Sequence, residues 1–504
     1  MEPRVEPLEM SPDEFRRLGH GLVDRIAELL ASIAERPLTP GESPAEIRAL
    51  LGRGPLPDSG ARPDMLLDEA ADLLIEHSLY NGHPRFMGYI SSPPAPIGVL
   101  GELLAAAVNP NVGGWELSPV ASEIEAQTVR WIAELVGYPA DCGGLLVSGG
   151  NMANFVCFLA GRRAMAGEAV RSAGLAGAGA ARLRVYVSAA THTWVQKATD
   201  LFGLGTDAIH WVPVDADERM IPAALRDAIR ADIAAGDRPM MVVGTAGTVS
   251  TGAVDPIREL SAICRERGLW LHVDGAYGAP AAVLPDAPDD LKALALADSL
   301  AVDPHKWLYA PIEAGCVLVR EARRLSEAYA YTPSYYHFEI EGEEPPINYY
   351  ELGPQNSRGF RALKVWLGLR QAGRSGYVQM IGNDCRLAAA LHRAAAEHPE
   401  IEPFTLGLSI VTFRYRPPDL AAGSAEVEEY LDRLNEAILT RLKTGGELFV
   451  TNAMVRGRFV LRACIVNFRT TAADAAATPE IVARTGRVLD AELRSAHLDV
   501  GATR

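Results

Sequence analysis

Residues 299–308 read Ser-Leu-Ala-Val-Asp-Pro-His-Lys-Trp-Leu, and this run decides the fold. Ser299 to Val302 is strand-like, proline stops it, and the chain then presents His305 and Lys306 side by side. Lysine is scarce here: Lys197, Lys292, Lys364 and Lys443 are the others, and arginine supplies most of the positive charge. An ammonium at the end of a buried strand must find an anion or give up its charge, because desolvation is costly. A neutral amine has one further use, condensation with an aldehyde to a Schiff base. Read alone, Lys306 is a surface lysine just past a strand. The segments upstream change that reading.

Leu269-Trp270-Leu271-His272-Val273-Asp274 reads as a buried strand ending in a carboxylate, and Gly275-Ala276-Tyr277-Gly278 after it are small enough for a ring to approach. An acid placed there would keep a pyridine nitrogen protonated, which makes the heterocycle an electron sink. Further back, Leu145 to Asn151 is a strand running into a Gly149-Gly150 turn, and Met152 to Leu159 has helical character. A glycine turn that opens a helix offers free amides and a positive dipole end, a seat for phosphate. Val185 to Ser188 leads into Thr191-His192-Thr193-Trp194, which sets an imidazole beyond another strand end. Lysine amine, ring-facing acid and phosphate turn together match the needs of bound pyridoxal phosphate.

In order and approximate spacing these motifs resemble the group II pyridoxal-phosphate amino-acid decarboxylases, which include aromatic-L-amino-acid and glutamate decarboxylases. The resemblance runs from about Ser11 into the C-terminal third. It implies an α/β protein with the type I fold of pyridoxal-phosphate transferases: a mainly parallel central sheet in a large domain, an N-terminal helical arm and a small α+β C-terminal domain. It implies that Lys306 forms the Schiff base, Asp274 serves the ring nitrogen and His192 stacks on the ring. Gly150, Asn151 and His305 would hold the phosphate, with Thr245 and Ala276 beside the ring. Tyr89 and Ser92 would line the substrate site, and Asn111 lies in a turn that enters the neighbouring subunit's site in relatives. Tyr349 would sit on a mobile loop that closes over the site and returns a proton to the α-carbon, and Arg358 would support substrate or loop. Asn111 and Gly113 stand where the aromatic-amino-acid members carry bulkier apolar groups. That departure weighs against an aromatic substrate without excluding it, so aromatic, acidic and diamino acids stay open; an aminotransferase or desulfurase-type lyase on the same fold is the first rival reading, and a non-catalytic protein that keeps the fold is the second.

The 504 residues carry a formal charge of −16 and are 48% hydrophobic, enough for a large core and unsuited to nucleic acid or an anionic membrane. No cluster with metal-ligand spacing stands out. The six cysteines are scattered without a C-x-x-C pair, several in apolar runs, and the N-terminus lacks a signal pattern. These features predict a reduced cytoplasmic protein. The expected divisions are an arm over 1–95, a cofactor domain over 96–375 and a small domain over 376–504. The arm reads as two helices with little core of their own, which predicts a homodimer through the resemblance. From Leu145 to about Arg320 strand-like runs alternate with helices, the α/β pattern that gathers functional residues at strand carboxyl ends. The acidic stretch from Glu339 to Pro346 has little to bury and is expected to move.

Overall fold

The computed structural model describes residues 6–179, 181–331, 346–420 and 423–498. Seven strands make the central sheet: β1 Gly143–Val147, β2 Leu183–Ser188, β3 Ile209–Val212, β4 Arg238–Thr245, β5 Trp270–Asp274, β6 Ser299–Val302 and β7 Gly315–Val319. Their order across the sheet is β1-β7-β6-β5-β4-β2-β3. The run from β3 to β6 is parallel, while β7 lies antiparallel to both β6 and β1. Every residue of β5, β6 and β7 is buried, which is why these strands read as continuous apolar runs without alternation. Thr245 pairs with Asp274 and Asp274 with Ala301. The carboxyl ends of three adjacent strands are therefore level, and the turns leaving them meet at one edge.

The helices of the first third are α1 Pro12–Ser32, α2 Pro44–Leu51, α3 Pro63–Glu76, α4 Pro96–Val108, α5 Pro119–Leu135 and α6 Gly150–Ala166. The arm thus contains a third helix, α3, where the sequence predicts two; its entry signal is one proline, Pro63, behind Arg62, which makes no side-chain cap. Gly161 on α6 lets that helix lie close against the sheet, since a Cβ there would run into the Met241 and Trp270 side chains. The acidic stretch expected to move lies almost wholly outside the described residues.

A second, antiparallel sheet holds β8 Ile401–Gly407, β9 Ile410–Tyr415, β10 Thr451–Val455 and β11 Arg458–Cys464, in the order β10-β11-β9-β8. The sequence predicts strands in this region only over 408–414 and 459–468, and so misses β8 and β10; β10 alternates buried and exposed residues and lacks an apolar run. Two helical stretches within Ala362–Glu397 meet at a bend where Gly373 takes φ 61°, and we propose the boundary between the two domains beside it. The segment 84–90 is tied to the small sheet: Met87 N donates to Phe449 O, Cys464 N donates to Met87 O, and Phe86 stacks on Phe449 at 5.3 Å. That attachment carries Tyr89 to the edge of the large sheet.

Candidate active site

The carboxyl ends of β4, β5 and β6, with the turns after β1 and β2, enclose a cavity of about 530 Å³. Lys306 reaches it from the turn Pro304–Trp307, and its ammonium lies 3.0 Å from Asp303 Oδ2. Burial pulls the Lys306 pKa down, but the Asp303 and Asp274 carboxylates outweigh it and hold the amine above the ordinary lysine value. The amine is therefore charged as it stands and must shed a proton before it can act as a nucleophile.

Asp274 is fixed at both oxygens. Trp194 Nε1 donates to Oδ2 at 2.7 Å, and Ala276 N donates to Oδ1 at 3.1 Å. Trp194 in turn stands edge-on to His272, which hydrogen-bonds Ser299 Oγ at 2.9 Å and Asn154 Oδ1 at 2.8 Å. Burial pushes that imidazole to about 4, so a neutral layer backs the Asp274 charge. His192 lines the cavity, and its Nδ1 accepts from Trp194 N at 3.3 Å, which leaves the proton on Nε2. Desolvation lowers its pKa, with Asp274 opposing.

The turn between β1 and α6 needs both its glycines. Gly149 adopts φ 143°, and a Cβ on Gly150 would lie 2.5 Å from Asp303 Oδ2. Ala153 N donates to Gly149 O, so the amides of Gly150, Asn151 and Met152 stand ahead of the first intrahelical bond and are available to an anion. His305 donates from Nδ1 to Ala314 O at 2.7 Å, and the residue lines the same cavity.

Two buried polar atoms of the cavity have no partner among the described residues: Thr245 Oγ1 and Asp303 Oδ1. Thr245 is 5% exposed and Asp303 1%. Such orphans are costly unless a ligand completes them. Thr245 is held by its backbone, whose N–H donates to Asp255 Oδ2 at 2.8 Å; burial pushes that carboxyl up to about 6. A helix start shaped for an anion, an amine, a fixed carboxylate and two unmet polar atoms fit pyridoxal phosphate.

Lys306, Asp274, His192, Gly150, Asn151, Thr245, Ala276, His305 and Tyr89 all line this cavity. Four other expected site residues lie outside this chain's own cavity, Asn111 being expected at a neighbouring subunit's site, and each is otherwise engaged. Ser92 Oγ donates to His305 O at 3.1 Å and so braces the lysine turn. Asn111 Oδ1 accepts from Gly113 N and Arg358 N, closing its own turn. Arg358 is sealed in an ion pair with Glu125, and its guanidinium also donates to Val112 O and Leu146 O. Tyr349, expected on a closing loop, is 1% exposed; its hydroxyl donates to Ser122 O and its ring lies under the Arg358 guanidinium at 4.6 Å. An aromatic ring with a cation to cover is held in the core. Sequence reasoning passed over three contributors: Trp194, Asp303 and Asp255. The first two lie inside the quoted motifs, and the signal was an indole and an acid beside the chosen residues; Asp255 carries no local signal.

The pyridoxal-dependent decarboxylase conserved domain matches residues 44–416. The chain is 32% identical over 467 residues to an aromatic-L-amino-acid decarboxylase of Bacillus atrophaeus, covering 92% of this chain and 94% of that one. It is 26% identical to a phenylacetaldehyde synthase of a Rosa hybrid cultivar, covering 90% of each. Among solved structures, Oryza sativa TDC with PLP and tryptamine superposes with a TM-score of 0.88 at 28% identity, over 96% of this chain and 100% of that one.

Proposed function

The chain belongs to the pyridoxal-dependent decarboxylase family, and on that premise we propose that it converts an L-amino acid to carbon dioxide and the corresponding amine. One observation carries the reading: Lys306, Asp274 and the Gly149-Gly150 helix start share a single cavity, and two of its lining residues, Thr245 and Asp303, each carry an unpartnered polar atom. Pyridoxal phosphate, when bound, supplies the electron sink for the pair left by the departing carboxylate. The α6 amides and His305 would hold its phosphate, and Lys306 would anchor its aldehyde. Asp274, unable to swing away from its Trp194 and Ala276 donors, would keep the ring nitrogen protonated. Thr245 Oγ1 would find its missing partner on the ring's substituents. His192 would lie against the ring, and its Nε2 proton supports it as the donor for proton return; Tyr349 is withdrawn from that role because its hydroxyl is engaged in the core.

The apolar part of the cavity lining supports an apolar or aromatic substrate side chain. Tyr89, Ile90, Met152 and Val249 form it, and among the described residues no arginine lines the cavity. A homodimer is supported by the apolar residues that α1, α3, α4 and the start of α5 leave exposed, among them Phe15, Met65, Leu104, Val108 and Val120. No helix among the described residues is long and apolar enough to cross a membrane.

A panel of amino acids scored for carbon dioxide, amine and aldehyde tests the proposal. Amine with carbon dioxide is the expected result; a keto acid would make the enzyme an aminotransferase, and aldehyde in place of amine would move it to the synthase branch. Lys306→Ala should abolish borohydride-trappable cofactor, and trapping at another lysine would refute its assignment.

A further inference from the structure

One residue of the apolar cavity lining is positioned from the small sheet. Tyr89 takes φ 50°, in the left-handed region that is costly for a bulky L-residue and persists only where the surroundings impose it. Met87 is paired to the small sheet through both its backbone groups, and a Cβ on Gly88 would lie 2.4 Å from the Phe449 ring. The chain leaves that sheet at Tyr89, where Arg462 Nη1, from β11, donates to Tyr89 O at 3.0 Å and to Thr451 Oγ1 at 3.1 Å. The Tyr89 ring is 55% exposed and lies 6.0 Å from Phe449, tilted by 38°, so packing holds it loosely and the backbone decides where it stands.

Arg462 is 2% exposed. Arg358 and Arg414, buried as deeply, each face a glutamate. Arg462 makes no ion pair among the described residues, and its Nε and Nη2 have no hydrogen-bond partner there. A buried guanidinium without a countercharge costs stability, and an apolar side chain of similar volume in its place is often neutral or better. Stability therefore does not account for Arg462, whereas its grip on a strained residue of the cavity wall does.

We propose that Arg462 is a positioning residue for substrate selection: by holding the Tyr89 carbonyl it keeps the left-handed turn, and with it the ring, beside the space that an apolar or aromatic substrate side chain fills. The inference rests on the substrate reading given above. It places part of the choice of amino acid in the small sheet, apart from the groups that would hold the cofactor.

Holoenzyme is titrated with the methyl esters of phenylalanine and alanine, which have no free carboxylate to lose, and binding is read from the cofactor absorbance. The wild type should prefer the phenylalanine ester. Arg462→Met should cut that preference about tenfold while retaining cofactor and holding or raising the urea midpoint. Tyr89→Ala should give the same loss, and the double variant no further one, because the two residues act as a unit. Thr451→Val keeps the charge and removes one of its two anchors; it should cut the preference about fivefold, and it decides the matter if Arg462→Met does not fold. A preference within about twofold of wild type in the deciding variant would overturn the proposal. So would equal weakening of both esters with a lowered midpoint, the result for a purely structural arginine. In either case a Tyr89→Ala effect leaves the substrate reading standing. Tyr89→Ala without effect, or a wild type indifferent to the two esters, overturns that reading and the role of Arg462 together.

Discussion

Glu125→Gln is the substitution whose effect the structure prescribes most directly. Glu125 projects from α5 with a side chain 0% exposed, and Arg358 opposite it is 1% exposed. Glu125 Oε1 also accepts from Leu146 N at 2.8 Å, so the pair is bolted to the end of strand β1 just before the Gly149-Gly150 seat. The glutamine keeps the shape and one acceptor for Leu146 N, and what it removes is the countercharge. Breaking a buried pair on one side leaves an uncompensated charge and costs roughly 3–5 kcal/mol. Two of the Arg358 contacts, to Val112 O and Leu146 O, survive and place the expected loss toward the lower end of that range. Urea unfolding followed by tryptophan fluorescence measures it, and cofactor retention through gel filtration reports the strain passed to the seat. Glu125→Leu combined with Arg358→Met should recover most of the loss, because an apolar pair needs no countercharge. A Glu125→Gln protein within about 1 kcal/mol of wild type would refute the argument. So would Arg358→Met that raises KM at unchanged stability, since Arg358 would then be meeting substrate.

Asp384 accepts from both Trp307 Nε1 and Tyr309 OH, and burial pushes its carboxyl from 3.8 up to about 7. Because the folded value is raised, its contribution is complete below about pH 4 and is lost as pH climbs through 7; relative to Asp384→Asn, the wild type should lose about 3 kcal/mol between urea midpoints read at pH 5 and pH 8. Gly150→Ala would drive a methyl into Asp303 Oδ2 and should weaken cofactor binding by about 1–3 kcal/mol in equilibrium titration while leaving the fold intact by circular dichroism. Thr245→Val removes an unpartnered hydroxyl, so stability should hold or rise slightly while cofactor affinity drops about fivefold, roughly 1 kcal/mol. Leu104→Glu on the exposed face of α4 should shift the sedimentation profile toward monomer; an unchanged profile would place any dimer contact elsewhere.

Much of the site was legible because chemistry sits where strands end. Lys306, Asp274, His192 and Gly150 lie in local runs whose apolar stretch, stop residue and polar group are contiguous, and each run carries its own signal. The expected residues that lie outside this chain's cavity were assigned from loops, where neighbours in sequence impose little on direction. Tyr349 reads like any loop tyrosine until Glu125 and Arg358, both distant along the chain, supply the charge that its ring covers. The strand β10 escaped notice for a related reason: one of its faces meets solvent, so no apolar run marks it.

Sequence by itself determined the alternating architecture, the position of the candidate amine and acid, and the glycine turn, since each depends on residues within one strand and its exit. Only the tertiary structure decided which groups share the cavity and in what charge state. The register that levels Thr245, Asp274 and Ala301 brings three separate exits to one edge, and desolvation there turns Asp303 from a flanking residue into the partner of Lys306. Burial and pairing are properties of the packed chain, and no local pattern of residues contains them.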